Sequence, residues 1–117
     1  MNQEQYQQWH ITRWVLLVVS SAQRERATDL VMAPAIEGGV SVRQNVDGVW
    51  QDWAPAPGLD WSLVLSELGG LAGIRDEPYP KDGMIYVAYS GVRVRWHVRM
   101  TSEKTECILR DLGRAMV

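Results

Sequence analysis

The stretch Val92-Arg93-Val94-Arg95-Trp96-His97-Val98-Arg99 places a cation or a titratable imidazole at every second residue. Along an extended strand that spacing is about 6.6–6.8 Å, with all four groups on one face and Val92, Val94, Trp96 and Val98 on the other. Like charges so close repel unless something anionic compensates them. Two chemistries fit. One is a solvated face neutralised by carboxylates such as Asp47, Asp82 or Glu103. The other is a surface for phosphate or an acidic partner, because the planar fork of arginine binds oxyanions bidentately. A second alternating stretch, Val40 to Val46, turns Val40, Val42 and Val46 inward and Ser41, Arg43 and Asn45 outward.

Other site chemistries find little in the chain. No Gly-x-x-x-x-Gly-Lys-Ser/Thr loop is present, so nothing cradles the phosphates of a nucleotide for hydrolysis. The reading is therefore not an enzyme, and the catalytic set is none. His10, His97 and Cys107 share no ligand spacing, so no metal and no cofactor is expected. His10 reads as a surface helix residue and His97 as part of the polar strand face. Cys107 sits in an apolar run and reads as a buried, inert thiol. Six tryptophans and no phenylalanine set the aromatic inventory. Trp14 and Trp96 fall on core faces. Trp50 and Trp53 bracket a short strand with Trp61 just beyond. They either close the edge of the core or anchor a partner interface together with Arg93.

At 117 residues the chain has room for one domain, 1–117, with a modest core. A formal net charge of −2 argues against a dedicated nucleic-acid binder. The single cysteine fits a reducing compartment. The apolar run Trp14 to Val19 is far shorter than the ~20 residues needed to span a bilayer, and the Gln-rich start lacks the basic region of a signal peptide. Together these predict a cytoplasmic protein without direct membrane insertion.

These side chains need elements to hold them. Residues 4–26 read as a helix, with Tyr6, Trp9, Arg13, Leu16 or Leu17 and Ser20 marking successive turns and residues 1–8 frayed. Leu30 to Ala33 is a strand stopped by Pro34. Val40 to Val46 and Val49 to Trp53 form a hairpin around Asp47-Gly48. Ala54-Pro55-Ala56-Pro57-Gly58 is a stiff loop. A helix capped by Asp60 follows, with Leu63, Val64, Leu68, Leu71 and Ala72 as its stripe and Gly69, Gly70 and Gly73 ending it. Met84 to Tyr89 and Val92 to Arg99 form a second hairpin at Ser90-Gly91. Thr105 to Leu109 is a last strand, and residues 113–117 are a tail or the start of a linker. The sum is an α+β domain, a mostly antiparallel sheet of five to six strands with two main helices on one face.

Four segments stand in a telling order. Ala27, Asp29 and Pro34 close the first. Arg43, Asp47, Gly48 and Val49 make the second, and Pro80, Asp82 and Gly83 the third, with Arg95 and Arg110 beyond. Over residues 10–112 this order resembles the N-terminal, pre-motor domain of the type II secretion and type IV pilus assembly ATPases. Its departures are Val31 and Ala33 for a His and a Glu, Asn45 for the second arginine of an Arg-x-Arg-x-Asp-Gly motif, Met84 for an arginine after the third Asp-Gly, Gly69 for a helix lysine, Lys104-Thr105 for a Gly-Glu pair, and two residues fewer near Arg75 to Tyr79. The resemblance implies a PAS-like fold that keeps the framework and loses part of the site. It implies a non-catalytic protein-interaction domain that docks on a motor domain or another machine component in protein transport, and it admits a homo-oligomer. Arg43 and Arg95 stand where the family contacts nucleotide, and with Arg99 they imply weak nucleotide or anion contact. The other reading is a stand-alone PAS-like sensory or regulatory domain with a small ligand in its core. It needs a buried apolar pocket.

Overall fold

Two tight reversals set the registers of the sheet. Asp47 and Gly48 (φ 53° and 83°) and Ser90 and Gly91 (φ 50° and 76°) take left-handed backbone at both central positions of a turn. This is the type I′ geometry, whose twist matches that of the strands it joins. A computed structural model describes residues 2–54, 56 and 58–116. The expectations for Pro55, Pro57 and Val117, and for the side chain of Tyr6, fall outside the described residues.

The order of elements is α1 (Gln3–Arg24), β1 (Asp29–Pro34), β2 (Val40–Val46), β3 (Val49–Asp52), α2 (Trp61–Leu71), β4 (Lys81–Tyr89), β5 (Val92–Met100) and β6 (Cys107–Met116). The strands form one six-stranded sheet in the order β3-β2-β1-β6-β5-β4, with antiparallel neighbours throughout. The fold is α+β with two main helices, in agreement with the sequence. Both helices contribute to a single core: Ile11, Val15, Val18, Val19 and Ala22 of α1 and Val64, Leu65 and Leu68 of α2 pack with Leu30, Met32, Val42, Val94, Trp96, Val98 and Leu109 of the sheet. The buried α1 positions recur at intervals of three and four, one stripe of a 3.6-residue helix. At the centre lies Trp96, fully buried, with its indole N–H donating to Gln23 Oε1 at 3.4 Å.

Four expectations are corrected. Helix α1 starts at Gln3, so residues 3–8 are helical rather than frayed. Its buried stripe is also rotated from the one the turn markers suggest: Trp9, Leu16 and Leu17 are exposed, because the Ile11–Ala22 stripe faces the sheet. Gly69 and Gly70 lie inside α2, and only Gly73 (φ 73°) lies past its end. Gly73 N–H donates to Gly70 O (3.2 Å) and Ile74 N–H to Gly69 O (2.8 Å), the paired bonds of a Schellman stop. Gly69 leaves room for the returning chain, since a Cβ there would lie 3.2 Å from Arg75 Cα, while one on Gly70 would meet the movable guanidinium of Arg75. Last, β6 runs to Met116, so residues 113–116 are strand rather than tail, paired with the start of β5. Gly113 (φ 120°) marks no end. It sits beside a register irregularity opposite Val94 to Trp96, and its N–H donates to Asp111 Oδ1 at 2.7 Å. A glycine in a strand is read as a stop from sequence, yet it also serves to pass a bulge.

Candidate functional site: the open face of the sheet

The helices cover one face of the sheet and leave the other without a packed layer among the described residues. Cross-strand register lines its side chains into rows. One row runs Asp52, Arg43, Val31, Ile108, Arg99, Asp82 from edge to edge. The next runs Trp50, Asn45, Asp29, Arg110, His97, Met84. Beyond them on β4 and β5 come Tyr86 beside Arg95 and Ala88 beside Arg93. All site residues foreseen on strands β2 and β5 therefore share this face, as the period of two requires.

The cations divide into two groups. Arg110 Nε meets Asp29 Oδ1 at 3.2 Å, His97 Nε2 meets Asp82 Oδ1 at 3.1 Å, and Arg99 Nη1 meets the same oxygen at 3.7 Å. These pairs are exposed or half-exposed, and such pairs stabilise by no more than about 1 kcal/mol. Arg43, Arg93 and Arg95 have no carboxylate within ion-pair distance among the described residues. Arg43 stacks its guanidinium over the Trp50 ring, 5.2 Å from the centroid. Arg95 donates to the carbonyl of Leu112 at 3.4 Å. Of the carboxylates named as neutralisers, Asp82 does so, and Asp29 takes the place given to Asp47 and Glu103.

Arg43, Arg95 and Arg99 share the face but not a point on it. Arg43 and Arg99 stand three strand spacings apart, about 14 Å, with Val31 and Ile108 between them. Arg95 lies four residues along β5 from Arg99, about 13 Å further. They line a surface and do not gather round one phosphate. Of the two partner-interface tryptophans, Trp50 is 47% exposed and Trp53 is partly buried against the core. Trp61 also packs on the core and donates to Glu103 O at 3.0 Å. Next to Trp50, Asn45 Oδ1 is buried and has no hydrogen-bond partner among the described residues.

Cys107 is buried in the core, where desolvation pushes its thiol up to about 12. The thiolate needed for nucleophilic or ligand chemistry is thus suppressed. His10 is exposed on α1. Two residues gave no functional signal in the sequence. Tyr86, 60% exposed on the edge strand of the open face, follows from the alternation of Met84, Tyr86 and Ala88 against Ile85 and Val87. Lys81 is buried, donating to the carbonyls of Arg75 (3.1 Å) and Glu77 (3.3 Å) and lying over the Tyr79 ring. It pins the loop after α2, and no pattern of spacing announces that.

Large side chains occupy the interior. Trp96, Leu30, Met32, Leu68, Met100 and Leu109 are fully buried. Surface clefts of about 640 Å³ along α1 (His10, Arg13, Trp14, Leu16, Leu17) and about 310 Å³ beside Lys81 and Arg75 lie outside this core. Among the described residues, no helix is long and apolar enough to cross a membrane. A scan against protein-family models finds no match to the chain, and a search of curated proteins finds none.

Proposed function

We propose that the open sheet face is a non-catalytic docking surface through which this domain binds the motor domain of a type II secretion or type IV pilus ATPase, or another component of such a machine, in the cytoplasm. The observation that carries the reading is the Arg43–Trp50 stack. It is an exposed aromatic and a cation, at one end of a face that has no packed layer over it and offers Arg43 no carboxylate among the described residues. Arg and Trp are the residues most enriched at binding hot spots. Arg93 and Arg95 extend the uncompensated charge to the far end, which suits an acidic partner surface. The spread of Arg43, Arg95 and Arg99 favours a protein surface over direct grip on a nucleotide. The large side chains fully buried in the core, Trp96 among them, favour this reading over a sensory domain holding a small ligand there.

The test is titration calorimetry of the domain against a purified secretion or pilus motor domain, with Trp50→Ala and Arg43→Glu in parallel. The reading expects binding that each variant weakens at least about tenfold, the ordinary scale of a hot-spot loss. Absence of binding, or binding indifferent to both substitutions, sinks it.

A further inference from the structure

Strand β4 is an edge of the sheet, and unlike the other edge it carries little to blunt it. Edge strands usually avoid further pairing by being short, charged, broken by proline or bulged. Strand β3 has four residues and ends on Asp52. Strand β4 has nine, without a proline, in unbroken register with β5, and Gly83 to Ala88 carry no charge. The two-residue turn makes Tyr89 and Val92 a hydrogen-bonded pair, so alternate residues back along β4 bond to β5. The N–H and C=O groups of Asp82, Met84, Tyr86 and Ala88 consequently point out of the edge. None of them makes a backbone hydrogen bond outside the sheet among the described residues.

We propose that this edge pairs with β4 of a second copy, antiparallel, about a two-fold axis at Ile85. In that register Asp82 faces the partner's Ala88 and Met84 faces the partner's Tyr86. Every outward-pointing residue then meets another, and each such pair exchanges both N–H···O bonds. The axis at Ile85 is the two-fold that uses all of them. Isologous pairing of this kind closes on itself and does not propagate. On the open face it sets the Met84 thioether against the partner's exposed Tyr86 ring, a favourable sulfur–aromatic contact, once on each side of the axis. Charge argues for a second copy over an unrelated peptide. Arg93 lies beside Ala88 and has no carboxylate of its own among the described residues. In the pair, Asp82 comes within about 10 Å of the partner's Arg93 between Cα atoms, with only the methyl group of the partner's Ala88 between them. A long arginine side chain spans that gap. The same contact repeats on the other side of the axis.

Sedimentation velocity over a range of concentrations tests this, with Tyr86→Pro and Arg93→Glu. Proline at residue 86 removes an N–H that points to solvent in the single copy, so an edge strand tolerates it. Circular dichroism confirms that the variant folds, and Arg93→Glu, at an exposed position, answers independently. The proposal expects a dimer that Tyr86→Pro abolishes and Arg93→Glu weakens by about tenfold or more. A protein monomeric up to about 1 mM, or a dimer that keeps its affinity in both variants, overturns it. Either result leaves the docking reading standing, since that rests on Trp50 and Arg43 at the opposite end of the sheet.

Discussion

Replacing Gly83 by alanine should destabilise the fold, and the cause is spatial. Gly83 lies on β4 where the end of α2 crosses the sheet. A Cβ built there would sit 2.7 Å from Ala72 O, 2.9 Å from Ile74 Cγ2 and 3.0 Å from Ala72 Cβ. The nearest of these is a backbone atom held by the Schellman stop, so it cannot swing aside as a flexible side chain would. Overpacking of this type costs about 1–3 kcal/mol, while the loss of glycine freedom in the unfolded chain returns about 0.4–1 kcal/mol. The net expectation is a loss of about 1–2 kcal/mol. With an unfolding entropy near 2.1 cal/mol/K per residue over 117 residues, the midpoint of thermal unfolding falls by about 4–8 °C. Gly58→Ala is the control, because nothing lies within 4 Å of its Cβ position and its φ is not left-handed. It should raise the midpoint by about 2–4 °C. Thermal unfolding followed by circular dichroism reads both. If Gly83→Ala melts at or above the wild type, α2 does not press on β4 as described. Gly83 would then owe its place in the Pro-x-Asp-Gly segment to something other than close packing.

Asp60 caps α2, its Oδ1 accepting from Ser62 N–H (2.9 Å) and Ser62 Oγ–H (2.6 Å). The Ser62 hydroxyl bond, chiefly, holds the carboxyl below its ordinary value of 3.8. A lowered folded-state value means the cap is fully effective above 3.8 and fades as pH falls through the lowered value. Asp60→Ala should cost about 1 kcal/mol at neutral pH by urea unfolding, and Asp60→Asn should keep most of the cap without titrating. A wild-type advantage over Asp60→Asn that persists undiminished in strong acid would contradict this. Cys107 should react with an aromatic disulfide reagent only as fast as the protein opens, and fully in denaturant; prompt labelling of the native protein would show that the core around it is not closed.

The two hairpins and the outward set Arg43, Arg93, Arg95, His97 and Arg99 were legible because both signals are local. A period of two names a face, and Asp-Gly or Ser-Gly names a reversal. Asp60 was legible as a cap for the same reason. What distance decides was not. The α1 stripe was misplaced because the helix is apolar over more than half its circumference, and only the sheet beneath selects Ile11 and Val15 over Trp9 and Leu17. The pairing of Arg110 with Asp29 spans 81 residues of sequence and has no local signature. Gly69, Gly70 and Gly113 read as stops because glycine often is one. Here they serve close approach to Arg75 and passage of a bulge.

The seam between β1 and β6 has a consequence for how the chain assembles. The sheet is two three-stranded meanders, β1-β2-β3 and β4-β5-β6, each closed by short connections, joined only where the first strand meets the last. Loop closure grows costlier with separation, so each meander can organise locally long before residues 29 and 110 meet. Joining the halves is then a late event, completed after the rate-limiting step. Val31→Ala and Ile108→Ala, neighbours across that seam, should mainly speed unfolding and leave the folding limb of a chevron nearly unchanged. A slowed folding limb would instead place the seam in the nucleus.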